Sequence, residues 1–174
     1  MAKTRNPGRQ RDHRKEPSEF TETTLSIDRV TRVVKGGRRM RFRAIVVVGD
    51  RKGRVGLGTG KANEVPVAVQ KATRYARKSM VKVPLQGGTL PHGVDIKFKA
   101  ARIRLLPACA GTGIIAGGAV RVILEHAGVR DVLSKRFGTS NKLVNAQAVM
   151  LALHAIRPPR QVVPMEVVSP PSQE

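Results

Sequence analysis

The residues with the most conspicuous chemical potential are Gly111-Thr-Gly113-Ile-Ile-Ala116, which match the G-x-G-x-x-A turn that holds a dinucleotide pyrophosphate. In that chemistry the glycines let backbone N–H groups approach phosphate, and an acid about 20 residues later takes the ribose hydroxyls. Asp131 stands near that offset, so an NAD(P)-dependent oxidoreductase is one reading. The flanking sequence argues against it. The strand-like run before the turn alternates Arg102 and Arg104 with apolar residues, whereas the central parallel strand of a dinucleotide fold is apolar on both faces. Pro107-Ala-Cys-Ala separates that run from Gly111, and Asp131 falls at the start of its strand rather than the end where a ribose sits. The glycines are then small residues that let a loop and helix pack closely on a neighbour.

Other catalytic patterns are weaker still. Gly56-Leu-Gly-Thr-Gly60-Lys-Ala62 lacks the first glycine and the final hydroxyl of a phosphate-cradling P-loop. Gly53-Arg-Val-Gly56 has the GXXG form of a KH loop but lies in strand-like sequence rather than between helices. His13, His92, His126 and His154 are scattered, with no partner at metal-ligand spacing. His126 and His154 read as helix packing or surface residues, and Cys109, set among alanines, as a small buried hydrophobe. The expectation is no enzyme, no cofactor, no metal and no small-molecule substrate.

The strong signal is charge. Between Arg29 and Lys61 stand eleven bases, Arg29, Arg32, Lys35, Arg38, Arg39, Arg41, Arg43, Arg51, Lys52, Arg54 and Lys61, against Asp50 alone. Lys71, Arg74 and Lys78 recur beyond them at helical spacing. The whole chain carries 33 Lys+Arg and 12 Asp+Glu, a net charge of +21, which points to a polyanionic partner. Arginine suits phosphate through its two-pronged donor geometry, and Gly36 and Gly37 would let backbone N–H groups approach an RNA strand closely. An anionic membrane fits less well, since neither a basic amphipathic helix with a bulky apolar face nor a spanning run is present. Aromatics make up only 3% of the chain, Tyr75 and four Phe, and Phe42 and Phe98 fall on apolar strand faces. Recognition of structured RNA by shape and phosphate contact is expected rather than base stacking. No helix-turn-helix or zinc finger suggests DNA.

The elements that must position these bases read as α+β in two small domains. A basic tail, 1–22, is poor in apolar residues and has no hydrophobic stretch of a secretory signal, which gives a cytoplasmic reading. Over 23–88, strands Ile27–Val34 and Arg39–Val48 flank a tight turn at Lys35–Arg38, and a third strand Arg54–Gly58 precedes a helix. Asn63 is its expected cap, Pro66 suits its first turn, and Val65, Val69, Ala72 and Ala76 share its inner face. Leu85–Pro91 reads as a linker into a second unit, 89–157. That unit has two antiparallel strands around Ile96 and Ile103, a helix from Gly117 to His126 and a strand at Val129–Leu133. It ends in a helix from Lys142 to Ile156 whose inner side takes Leu143, Ala146, Met150, Leu153 and Ala155. A Pro-rich tail, 158–174, closes the chain.

The runs RVTRVVKGGRRMRFRAIVVVGDRKGRVGLGTGKANEVPVAVQKA and GTGIIAGGAVRVILEHAGVRDVLSK closely resemble the bacterial small-subunit ribosomal protein S-five family, from Ile27 to Ile156. The resemblance implies an N-terminal domain similar to the double-stranded-RNA-binding fold, followed by a C-terminal α/β sandwich. It implies a structural protein of the small ribosomal subunit that binds 16S ribosomal RNA and supports subunit assembly and decoding accuracy. Lys35–Arg38 match the family loop that reaches ribosomal RNA near the subunit neck, beside the spectinomycin site. Gly111, Gly113, Gly117, Gly118 and Arg121 match its contact with the neighbouring protein S-four. The family also lines the channel through which messenger RNA enters. A free-standing RNA chaperone shares the basic surface and stands as the alternative.

Overall fold

The computed structural model describes residues 19–158, and the expected tails lie outside the described residues except at their inner ends. Strand β2 (Gly37–Gly49) sets the architecture, because its sequence changes character halfway. Gly37–Arg41 are exposed, whereas Ala44-Ile45-Val46-Val47-Val48 is apolar without alternation and buried throughout. A run of that kind belongs to a strand covered on both faces. Ala44, Val46 and Val48 pack with Ala68, Ala72 and Ala76 of helix α1 (Val65–Lys78). On the opposite face Val47 joins the larger core of the second unit, with Ile123, Leu124 and Val149.

The first sheet has the order β1-β2-β3-β4, all antiparallel, with β1 (Thr21–Val34), β3 (Arg54–Ala62) and a short β4 (Met80–Lys82). Gly56, Gly58 and Gly60 of β3 meet Ala76, Ala72 and Ala68 of α1, and a Cβ on any of the three glycines would overlap the facing alanine's carbonyl. The periods match: two strand residues advance about 6.6 Å and four helix residues about 6.0 Å. Small residues along both elements thus bring the helix backbone onto the strand. Strand β3 and helix α1 are locked by this seam.

The second sheet has the order β5-β6-β8-β7, with β5 (Val94–Phe98), β6 (Ala101–Pro107), β7 (Ile114–Ile115) and β8 (Val132–Gly138). β7 runs parallel to β8 and the other pairs are antiparallel. Ile103, Leu105 and Val132 point into the core beneath α2 (Gly118–Ala127) and α3 (Lys142–Ala155). Arg102, Arg104, Leu106, Leu133 and Phe137 lie exposed on the outer side of the sheet. α2 ends at Gly128, whose φ of 87° sets up the left-handed cap in which the Gly128 and Val129 N–H groups return to Glu125 and Leu124 carbonyls. Asn141 caps α3 by accepting from the Leu143 N–H at 3.0 Å.

The α+β class and the order of the longer elements match the sequence reading, but the short strands β4 and β7 were not expected and several local expectations do not hold. β1 begins at Thr21, inside the expected tail, because its polar alternation over Thr21–Thr24 still pairs with Val46–Gly49. Asn63 does not cap α1; Glu64 occupies the N-cap position without a side-chain hydrogen bond. Leu85–Pro91 is no free linker: Leu90 is buried, Gly88 accepts from Arg130 N–H at 2.7 Å, and Thr89 donates to the Asp131 carbonyl at 2.7 Å. The segment is held because the two units share the core through Val47, Val55 and Val83. β8 starts at Val132 and runs to Gly138, its basic end masking the strand in sequence. Ala155 is exposed and Ile156 takes the buried place beyond the helix. Cys109 is exposed on a loop rather than buried.

Candidate nucleic-acid interface

β2 pairs with β3 only as far as Phe42, opposite Ala62. Beyond that point β1 and β2 continue alone, from Val30 opposite Arg41 to Val34 opposite Gly37, and turn through Lys35 and Gly36. The result is a two-stranded arm that overhangs the sheet with both faces in solvent, so Val33 is 72% exposed. Gly37 has a φ of 140°, in the range that side-chain-bearing residues rarely adopt, and no heavy atom crowds the open side of Gly36 or Gly37. Arg29, Arg32, Lys35, Arg38, Arg39 and Arg41 are all exposed along this arm. Arg32 sits directly opposite Arg39 in the ladder, a like-charge pair that repels itself.

Among the described residues, carboxylates sort these cations into two kinds. Arg43 gives two hydrogen bonds to Asp28, at 2.8 and 3.2 Å, its direct cross-strand neighbour at the root of the arm. Arg54 donates to Asp50 at 2.7 Å, and the same carboxylate accepts from the backbone of Lys52 and Arg54. Burial alone would push the Asp50 carboxyl up, but the Arg54 and Lys52 hydrogen bonds hold it below the usual carboxylate range. Arg77 donates to Glu22 at 2.7 Å, fastening α1 to β1. The remaining bases of the arm, with Lys61, Lys71, Arg74 and Lys78, have no described carboxylate within ion-pair distance. They are exposed cations with no internal partner in the described chain.

The structure also divides what the sequence presents as one run. Arg51 and Lys52 lie in the turn after β2, at the opposite end of this 13-residue strand and about 40 Å from the arm's tip at the usual strand rise. The Arg51 N–H donates to the His126 carbonyl, and Arg51 shares a cleft with Glu125 and Arg130. Lys61 instead meets α1. Arg41, Lys61 and Lys71 line one concavity with Glu64, and Lys61, Lys71, Arg74, Tyr75 and Lys78 line the next, about 530 Å³. The arm and the outer face of α1 therefore form one continuous basic strip.

The glycine turn closes on itself. Asp131, 9% exposed, accepts from the Gly111 N–H at 3.0 Å and the Gly113 N–H at 2.8 Å. The two donors a pyrophosphate would use are thus held by a carboxylate, whose charge repels phosphate. Helix α2 begins five residues after Gly113, so its N-terminus does not follow the turn. These contacts overturn the dinucleotide reading. Nothing within the described chain uses their smallness, since Gly111, Gly113, Gly117 and Gly118 all face open space. Arg121, exposed beside them, donates to the Ile114 carbonyl at 3.1 Å.

His126 is buried, with Nδ1 against the Val122 carbonyl at 2.8 Å, and serves helix packing. His154 is exposed. No group of three potential metal ligands assembles among the described residues. Sequence reasoning underrated two aromatics. Tyr75 is 62% exposed on α1, and Phe137 is 42% exposed on β8 opposite Arg102. The helical spacing of Lys71, Arg74 and Lys78 around Tyr75 was the available signal.

The family model "Ribosomal protein S5, N-terminal domain" matches residues 20–84, and "Ribosomal protein S5, C-terminal domain" matches 96–165. A Thermus thermophilus protein named small ribosomal subunit protein uS5 is 56% identical over 140 residues, 80% of this chain and 86% of that protein. A protein of the same name from Lawsonia intracellularis is 56% identical over 138 residues, 79% of this chain and 85% of its own length.

Proposed function

Since the chain belongs to the ribosomal protein S5 family, a structural ribosomal protein and not an enzyme, we propose that its basic strip binds 16S ribosomal RNA. As a protein of the small subunit it is a component of the cytoplasmic ribosome. The observation that carries the reading is the sorting of cations. Arg43, Arg54, Arg77, Arg102 and Arg104 are each tied to a carboxylate of the chain itself. Within the strip, Arg29, Arg32, Lys35, Arg38, Arg39, Arg41, Lys61, Lys71, Arg74 and Lys78 are left for phosphate. A two-stranded arm with two exposed faces enters a groove or crevice of folded RNA, and its open glycine turn presents backbone donors at the tip. The test is 16S RNA binding by the full chain with the arm cations neutralised, which weakens binding while the unfolding transition stays in place.

The second contact, with protein S-four, is proposed for the glycine turn of the second unit. Gly111, Gly113, Gly117, Gly118 and Arg121 offer a bare, small-residue surface held rigid from beneath by Asp131. Such a surface admits a neighbouring backbone closely. Assembly support and decoding accuracy would follow from holding RNA through one unit and a protein through the other. The Arg51 and Lys52 turn is separate from the strip and would meet a different stretch of the ribosomal RNA.

A further inference from the structure

We infer that the groove between β3 and α1 takes an unpaired RNA nucleotide, with its base stacked on Tyr75 and its flanking phosphates held by the surrounding cations. This rests on the reading of the strip as an RNA surface and adds what kind of RNA it grips. Tyr75 is 62% exposed, an aromatic face left in water at the centre of a positively charged concavity. Its lining is Thr59, Gly60, Lys61, Lys71, Arg74 and Lys78, with no carboxylate among them.

The placement follows from the helix. Lys71 lies four residues before Tyr75 and Lys78 three after, so all three share one stripe of α1, with Arg74 beside it. Lys71 and Lys78 are about 10 Å apart along the axis, close enough for their long side chains to reach the phosphates on either side of one nucleotide. Lys61 faces them from β3, drawn near by the glycine–alanine seam beneath. The next base on the helix, Arg77, is turned away to Glu22, so the groove's cations remain available while the helix stays anchored.

A phosphate-only site needs no ring, and a duplex keeps its bases stacked on one another and away from a side chain. An aromatic face ringed by cations is instead the arrangement that binds single strands, where each base stacks and the charges follow the backbone. Arginine beside the ring adds a second planar surface for the same base. The ligand class is therefore single-stranded RNA, a loop or bulge with an unstacked base.

The chain makes the test direct, because Tyr75 is its only tyrosine and it has no tryptophan. The full-length protein is titrated with an unstructured RNA oligonucleotide and with a blunt duplex of equal charge. Tyr75 emission is corrected for absorption, and binding is followed independently by anisotropy of a labelled strand. The single strand is expected to quench Tyr75 strongly and the duplex to leave emission near its free value. Tyr75→Leu is expected to lower single-strand affinity by roughly tenfold, with Tyr75→Phe close to the parent. Saturated single-strand binding with unchanged emission, equal quenching by duplex, or unaltered single-strand affinity in Tyr75→Leu would each overturn the stacking site while leaving RNA binding intact. Absence of binding to any RNA would overturn both.

Discussion

The Gly113 backbone N–H donates to Asp131 Oδ1 at 2.8 Å, and the carboxylate belongs to the same chain as the turn it fills. A motif that in sequence offers its donors to a pyrophosphate offers them to an internal anion. Asp131→Ala leaves the Gly111 and Gly113 donors without that partner and is expected to cost about 1–3 kcal/mol in denaturant unfolding. Calorimetric titration with NAD or NADP is expected to show no heat for either protein. A neutral Asp131→Ala would show the contact to be idle.

The Arg32–Arg39 pair predicts an inverse response of stability and affinity. Replacing Arg39 by Glu converts a repulsive cross-strand pair into an attractive one, worth about 0.2–1 kcal/mol. Thermal unfolding is expected to shift upward while RNA affinity falls. A variant that lost stability and affinity together would indicate that Arg39 supports the arm itself.

Two glycines separate packing from partner contact. Gly58→Ala drives a Cβ into the Ala72 carbonyl and is expected to destabilise the protein by about 1–3 kcal/mol. Gly117→Glu meets open space at its Cβ and is expected to leave folding and RNA affinity of the free protein close to the parent, while weakening the proposed contact with protein S-four. Collapse of RNA affinity in Gly117→Glu would make the glycine loop an RNA site instead.

Acid behaviour follows from Asp95 on the outer face of the second sheet. Hydrogen bonds from Arg102, and then Arg104, lower its carboxyl from 3.8 to about 2. A lowered folded value means stabilisation that is present above 3.8 and lost as pH falls toward 2. Asp95→Asn is expected to be less stable than the parent at neutral pH, with the difference shrinking through that window. A difference independent of pH would point to packing rather than charge.

The sequence announced the broad design through local rules, and the misses have physical causes. Ala44–Val48 reads correctly as strand, but only its lack of alternation tells that both faces are covered. The bases from Arg29 to Lys61 read as one cluster because sequence proximity hides the length of β2, which carries Arg51 and Lys52 to the opposite end. Arg43 and Arg54 looked the same as their neighbours until pairing placed Asp28 and Asp50 beside them. Gly56, Gly58 and Gly60 were legible as a failed phosphate loop, not as a strand face matched to alanines every fourth residue of α1. Tyr75 is one of few aromatics in the sequence, and its exposure follows from where the helix puts it.

Most direct is the salt dependence of 16S RNA binding, measured for the parent, for Arg38→Ala with Arg39→Ala, and for Arg43→Ala. If the unpaired cations hold phosphate, parent affinity falls about a thousandfold or more between 50 and 200 mM salt for six or more phosphate contacts. The double variant is expected to bind more weakly with a log–log slope shallower by about two. Arg43→Ala is expected to keep the parent slope, because its guanidinium is held by Asp28. A flat dependence for the parent, or an equal loss of slope for Arg43→Ala, would contradict the division of labour between paired and unpaired cations.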